Sequence, residues 1–222
     1  SGKSVMLELI KEELAEAGVA PSQMISINFE DMRYSHLQTA TALHDEIIKR
    51  AEGIEGKAYL FFDEIQEVEG WEKCVNSLRV ALDCDIYITG SNAKLLSGEL
   101  ATYIGGRYVE FVIYPFSFAE FLELYHTIAP SDSIQQCFQK YLLAGGMPYL
   151  ANLRYEEEPS RQYLTDLFNS VQLKDIVKRN KIRDIDLLER IIAYMTANVG
   201  TVFSASSLAK FFKNEQRTVA AE

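Results

Sequence analysis

Ala58-Tyr59-Leu60-Phe61-Phe62-Asp63-Glu64 is the stretch on which the reading of this chain turns. Five apolar residues run without interruption into two adjacent carboxylates. A continuous apolar run of this length fits a strand buried on both faces of a parallel sheet, because a strand with one wet face alternates. The two acids then mark the strand's carboxyl end, the side on which open α/β sheets collect their ligands. There Asp63 can hold a divalent cation, directly or through water, and Glu64 can polarise a water for attack. Acids also end strands simply because the edge is wet, so the pair alone leaves both accounts open.

On both sides of this stretch, strand-like and helix-like segments alternate. Upstream, Leu7, Ile10 and Leu14 give a helix over Val5 to Ala17, stopped by Gly18. A β-rich run follows at Met24 to Phe29, and Leu43, Ile47 and Ile48 mark a helix over Leu37 to Ala51. Downstream, a helix fits Trp71 to Leu82, with Trp71 as a core anchor. Ile86 to Thr89 reads as a buried strand ending at Gly90, and Tyr108 to Ile113 as a further strand closed by Pro115. This alternation predicts an α/β domain over 1–115, a parallel sheet flanked by helices. From Phe116 only helices follow, at Phe118 to Tyr125, Ile134 to Leu143, Arg161 to Lys178 and Leu187 to Asn198. Gly145-Gly146-Met147-Pro148 breaks two of them apart. We read 116–183 as a helical lid and 184–222 as the start of a winged helix or helix-turn-helix. Its last part, Phe203 to Glu222, is expected as two short helices with a turn near Asn214.

The chain opens Ser1-Gly2-Lys3-Ser4 and passes at once into a helix. This is the second half of the phosphate-loop pattern G-x-x-x-x-G-K-[ST]. Gly2 lets backbone approach a phosphate, and the helix N-terminus aims amides at it. Lys3 would sit between β- and γ-phosphates, and the Ser4 hydroxyl would bind Mg²⁺. As a lone triplet the pattern also fits a surface turn. About 60 residues before an apolar strand ending in Asp63 and Glu64, it points to a Mg-ATP site. Ser91 or Asn92, at the tip of the next strand, can contact the γ-phosphate or the water, and the sequence does not choose between them. Arg107, in Gly105-Gly106-Arg107, stands where an arginine can reach a nucleotide, its own or a neighbour's in a homo-oligomer. It reads equally as a surface arginine. Glu30 ends an earlier strand, where capping is its simpler role.

These motifs together resemble a family. Leu60-Phe61-Phe62-Asp63-Glu64-Ile65-Gln66, Thr89-Gly90-Ser91-Asn92, Pro115-Phe116-Ser117-Phe118-Ala119-Glu120-Phe121 and Gly145-Gly146-Met147-Pro148 are similar to segments of the prokaryotic AAA_14 ATPases that carry a DUF4143 C-terminal region. The resemblance implies a P-loop NTPase core, a helical lid, a winged helix and a nuclease-like end domain. It implies nucleotide roles for Gly2, Lys3, Ser4, Asp63 and Glu64, and less directly for Ser91 and Arg107. It further implies the sheet order 5-1-4-3-2, whose first strand would precede Ser1. That strand is interior, and its loss would leave backbone groups unpaired on both neighbours. The chain is therefore expected to be a piece of a longer protein, lacking its first strand and ending within the winged helix near Arg217.

Composition narrows the partners. The chain has 222 residues, 48% of them apolar and 24% charged, and a net charge of -10. That acidity argues against a surface made to grip nucleic acid. The charge is uneven: from Val171 onward 9 basic residues face 6 acidic ones, while the first 170 carry 13 and 26. Lys174, Lys178, Arg179, Lys181 and Arg183 form a basic cluster that can contact DNA, or simply line a solvated helix face. No apolar run is long enough to span a bilayer. Three cysteines without metal-ligand spacing suit a reducing cytoplasm. The functional expectation is Mg-dependent ATP hydrolysis with Glu64 activating the water. The alternative is a nucleotide-dependent DNA- or protein-binding module with little hydrolysis. A small-molecule kinase fits less well, because twin acids at a strand end suit water activation.

Overall fold

The computed structural model describes residues 2–90, 107–171, 184–202 and 204–219. They form two compact units, Ser1–Arg161 and Gln162–Glu222. The first is built on three parallel strands, β1 (Met24–Asn28), β2 (Ala58–Asp63) and β3 (Cys84–Ile88), in the order β1-β2-β3. Parallel neighbours need long crossovers, and helices supply them: α1 (Lys3–Glu16) precedes β1, α2 (Ala40–Ala51) links β1 to β2, and α3 (Trp71–Ala81) links β2 to β3. The register pairs Ile25 with Leu60, Ile27 with Phe62, and Asn28 with Asp63. On the other side Leu60 pairs with Ile86 and Phe62 with Ile88.

Alternation along β2 divides its side chains between two faces. Leu60 and Phe62 enter a core with Leu43 and Ile47 of α2 and Trp71, Val75 and Leu78 of α3. Phe61 points the other way, stacks on Tyr87 of β3 at 4.9 Å, and lies 5.7 Å from the Lys11 ammonium of α1. Both faces of β2 are thus covered, and Leu60, Phe61 and Phe62 are fully buried. This explains why the run is apolar at every position rather than every second one.

One expected strand does not form. Residues 108–113 make no strand pairing, and Val109, Phe111 and Tyr114 are largely exposed. A strand is stable only with a partner for its backbone groups. In the expected 5-1-4-3-2 order this segment would pair only with the strand ahead of Ser1. Among the described residues β3 pairs on one side only, and the cleft at its other edge is walled by α1 and residues 107–113.

Beyond this sheet come α4 (Phe118–Ile128), α5 (Ile134–Ala144) and α6 (Glu157–Val171). Ser117 and Ser133 cap α4 and α5, each in a reciprocal box with the side chain three residues on, Glu120 and Gln136. Phe118, Phe121, Tyr125, Tyr141 and Tyr155 make an aromatic cluster, with Phe121 and Tyr155 5.0 Å apart edge to face. The Gly145–Gly146 break clasps the start of this region. The Phe116 N–H donates to the Gly146 carbonyl at 2.7 Å, and the Tyr141 hydroxyl donates to the Phe116 carbonyl at 2.9 Å.

In the second unit, α7 (Ile185–Ala197) and α8 (Ala205–Val219) meet through Tyr194 and Phe211, 4.7 Å apart, while Arg190 lies 4.9 Å from the Phe212 ring. The last segment is one helix rather than two short ones with a turn near Asn214. A lone asparagine costs a helix little, and no Gly or Pro accompanies it. No helix among the described residues is long and apolar enough to cross a membrane.

Candidate functional site at the carboxyl end of the sheet

Extending the strand register by one residue past β3 sets Thr89 beside Asp63, as Asn28 already is on the other side. These three make a row across the carboxyl end of the sheet. Asp63 is 7% exposed, and its two oxygens are divided between its neighbours. The Thr89 hydroxyl donates a short hydrogen bond to Oδ1, and the Asn28 amide donates to Oδ2 at 3.2 Å. A buried carboxylate requires such donors, because losing water without replacing its hydrogen bonds is costly. Thr89 also pins the turn after β2. Its hydroxyl accepts from the Glu64 N–H at 3.3 Å and its carbonyl from the Ile65 N–H at 3.2 Å.

Glu64 has φ 55° and ψ 46°, the left-handed region. The chain then turns sharply through the short 3-10 turn Ile65–Glu67, and Gln66 donates a short hydrogen bond from Nε2 to Glu64 Oε2. Asp63 therefore closes the strand while Glu64 stands half-exposed beyond it.

The cleft beside β3 has a volume of about 590 Å³. Lys3, Thr89, Gly90 and Arg107 all line it, with apolar walls from Met6 and Ile86. Lys3 is the first residue of α1, whose first turn carries no acidic residue. The first amides of a helix lack intrahelical acceptors and are partly positive, which favours an anion there. A cation, a helix N-terminus and an arginine thus border one cleft. Thr89 belongs both to that cleft and to the hydrogen-bonded row holding Asp63.

Mg²⁺ prefers hard oxygens and takes only one or two carboxylates, with water and phosphate oxygens completing its octahedron. Asp63 would offer a carboxylate whose oxygens already accept from Thr89 and Asn28, and Ser4, exposed on α1 and not among the residues lining the cleft, would offer a hydroxyl. No group of three or more His, Cys, Asp or Glu suited to a metal occurs among the described residues. A protein-only cage is not what this chemistry requires.

Of the residues singled out from sequence, the structure describes Gly2, Lys3, Ser4, Asp63, Glu64 and Arg107. Lys3 and Arg107 line the same cleft; Asp63 and Glu64 close β2, with Asp63 bonded to the cleft residue Thr89. Ser1, Ser91 and Asn92 lie outside the described residues, as does the basic cluster from Lys174 to Arg183. Sequence reasoning passed over Thr89, Asn28 and Gln66. Aligning the strand ends would have found the first two, since Asn28 and Asp63 end their strands and Thr89 directly follows the next one.

The AAA_14 family, described as an AAA domain, matches residues 1–122. A domain of unknown function, DUF8612, matches 135–221, where a DUF4143 region had been expected. The chain is 38% identical over 217 residues to an uncharacterized protein of Haemophilus influenzae, covering 97% of this chain and 54% of that protein. It is 33% identical over 202 residues to an uncharacterized protein of Methanocaldococcus jannaschii, covering 86% of this chain and 45% of that one. The chain thus spans about half the length of these curated relatives. No solved structure matches.

Proposed function

The chain belongs to the AAA_14 family of AAA domains, which are ATPase-like and nucleotide-binding, and from that premise we propose that it binds Mg-ATP and hydrolyses it. One observation carries the reading within this chain: Thr89 is shared between the cleft lined by Lys3 and Arg107 and the row that holds Asp63. In this proposal the α1 amides and the Lys3 ammonium bind the β- and γ-phosphates. Asp63 and the Ser4 hydroxyl would hold Mg²⁺, which when bound would neutralise phosphate charge. Glu64 accepts a proton from the water that attacks the γ-phosphorus, as the bond from that phosphorus to the bridging oxygen breaks and ADP leaves with inorganic phosphate as the other product. Arg107 meets the phosphate charge of its own nucleotide or, in a homo-oligomer, a neighbour's.

The test is Glu64→Gln in the full-length protein. We expect ATP affinity to persist and steady-state turnover to fall by roughly 10²–10⁴-fold, the usual contribution of a general base. Turnover equal to wild type would remove Glu64 from the mechanism. Tight Mg-ATP binding with no turnover in the wild type would instead favour a nucleotide-dependent binding module.

A further inference from the structure

We infer that Gln66 is a positioning residue that sets the Glu64 carboxylate in its water-activating orientation. The inference rests on the hydrolytic reading above. A glutamate side chain has three rotatable bonds, and a half-exposed one samples many rotamers unless something holds it. Glu64 is held twice. Its backbone sits in the left-handed region, φ 55° and ψ 46°, where a non-glycine residue persists only when its surroundings fix it. Thr89 fixes it, by accepting from the Glu64 N–H at 3.3 Å and from the Ile65 N–H at 3.2 Å. The second restraint is the hydrogen bond from Gln66 Nε2 to Glu64 Oε2.

Gln66 is itself on a rigid mount. It lies at the centre of the 3-10 turn Ile65–Glu67, closed by the Val68 N–H donating to the Ile65 carbonyl at 3.0 Å. Ile65 and Val68, on either side, are buried in the sheet core. The turn therefore cannot shift without disturbing that core and the end of β3. A carboxylate gripped at one oxygen presents its other oxygen along a defined direction. Effective proton transfer depends on that alignment more than on proximity alone. The donor is neutral, so it orients the carboxylate without supplying a counter-charge.

The experiment compares Mg-ATP turnover and ATP affinity in the full-length protein for wild type, Gln66→Ala, Glu64→Gln and the double variant. We expect Gln66→Ala to lower kcat by roughly 10- to 100-fold, the usual cost of removing a partner that orients a reacting group. ATP affinity should be unchanged. In the Glu64→Gln background the same substitution should cost nothing further, because a residue acting through another loses its effect when that other is gone. Gln66→Met keeps the side chain's length without its donor, and it should reproduce the loss if the alanine variant folds poorly. An unchanged or raised kcat in the single variants would overturn the inference, as would an equal loss in both backgrounds. Wild-type turnover in Glu64→Gln would overturn the hydrolytic reading itself, and this inference with it.

Discussion

Asp63 illustrates how much one residue's role depends on its neighbours across the sheet. Its acidity and place at a strand end were legible in the sequence; the donors holding it were not. Thr89 reads in sequence as the last residue of a buried strand, and attention passes naturally to Ser91 and Asn92 beyond it. Only the register, with Phe62 opposite Ile88, puts Thr89 beside Asp63. Replacing Thr89 by Val keeps the shape and removes one donor from a buried carboxylate. We expect a loss of about 1–3 kcal/mol in urea unfolding, the cost of leaving such an acceptor unpaired. Cys74 offers a separate check on the core. Burial, with a smaller contribution from Asp45, pushes its thiol up to about 12. A raised thiol value means that the stabilising neutral form is complete below the ordinary thiol range and lost as pH climbs through about 12. At pH near 8 Cys74 should therefore resist alkylation in the folded protein and react once unfolded. Rapid native-state labelling would show that α3 is not packed as described.

Among elements, periodicity recovered the described helices and three strands with small shifts at their ends, although β3, expected to be buried, is half-buried throughout. Two segments misled it. Residues 108–113 have a strand's composition, but composition does not supply a pairing partner. The last helix runs through Asn214 because an asparagine alone rarely stops a helix. The Gly145-Gly146 break was legible as a break, but its close approach to Phe116 was not. A Cβ on Gly146 would lie 2.0 Å from the Phe116 carbonyl oxygen. Gly145 has φ +72° but open space around it. Gly146→Ala should thus cost about 2 kcal/mol or more through overpacking against backbone. Gly145→Ala should cost about 1–3 kcal/mol through its backbone alone, since φ 72° with ψ -171° is a region that only glycine adopts freely. A Gly146→Ala thermal melt equal to wild type would mean the Phe116 clasp is absent in solution.

For the molecule as a whole, the parallel sheet flanked by helices agrees with membership of the AAA_14 family. The second unit is a different case, since its helices match a domain whose function is not defined.

On the proposed function, the start of α1 and the two acids at the end of β2 serve one bound nucleotide. Calorimetric titration of Mg-ATP into the full-length protein and its Lys3→Ala variant tests it most directly. Removing a charged donor from the phosphates should weaken binding on the order of 10- to 100-fold. Equal affinity in the two proteins would contradict the claim and place the nucleotide, if one binds, away from Lys3.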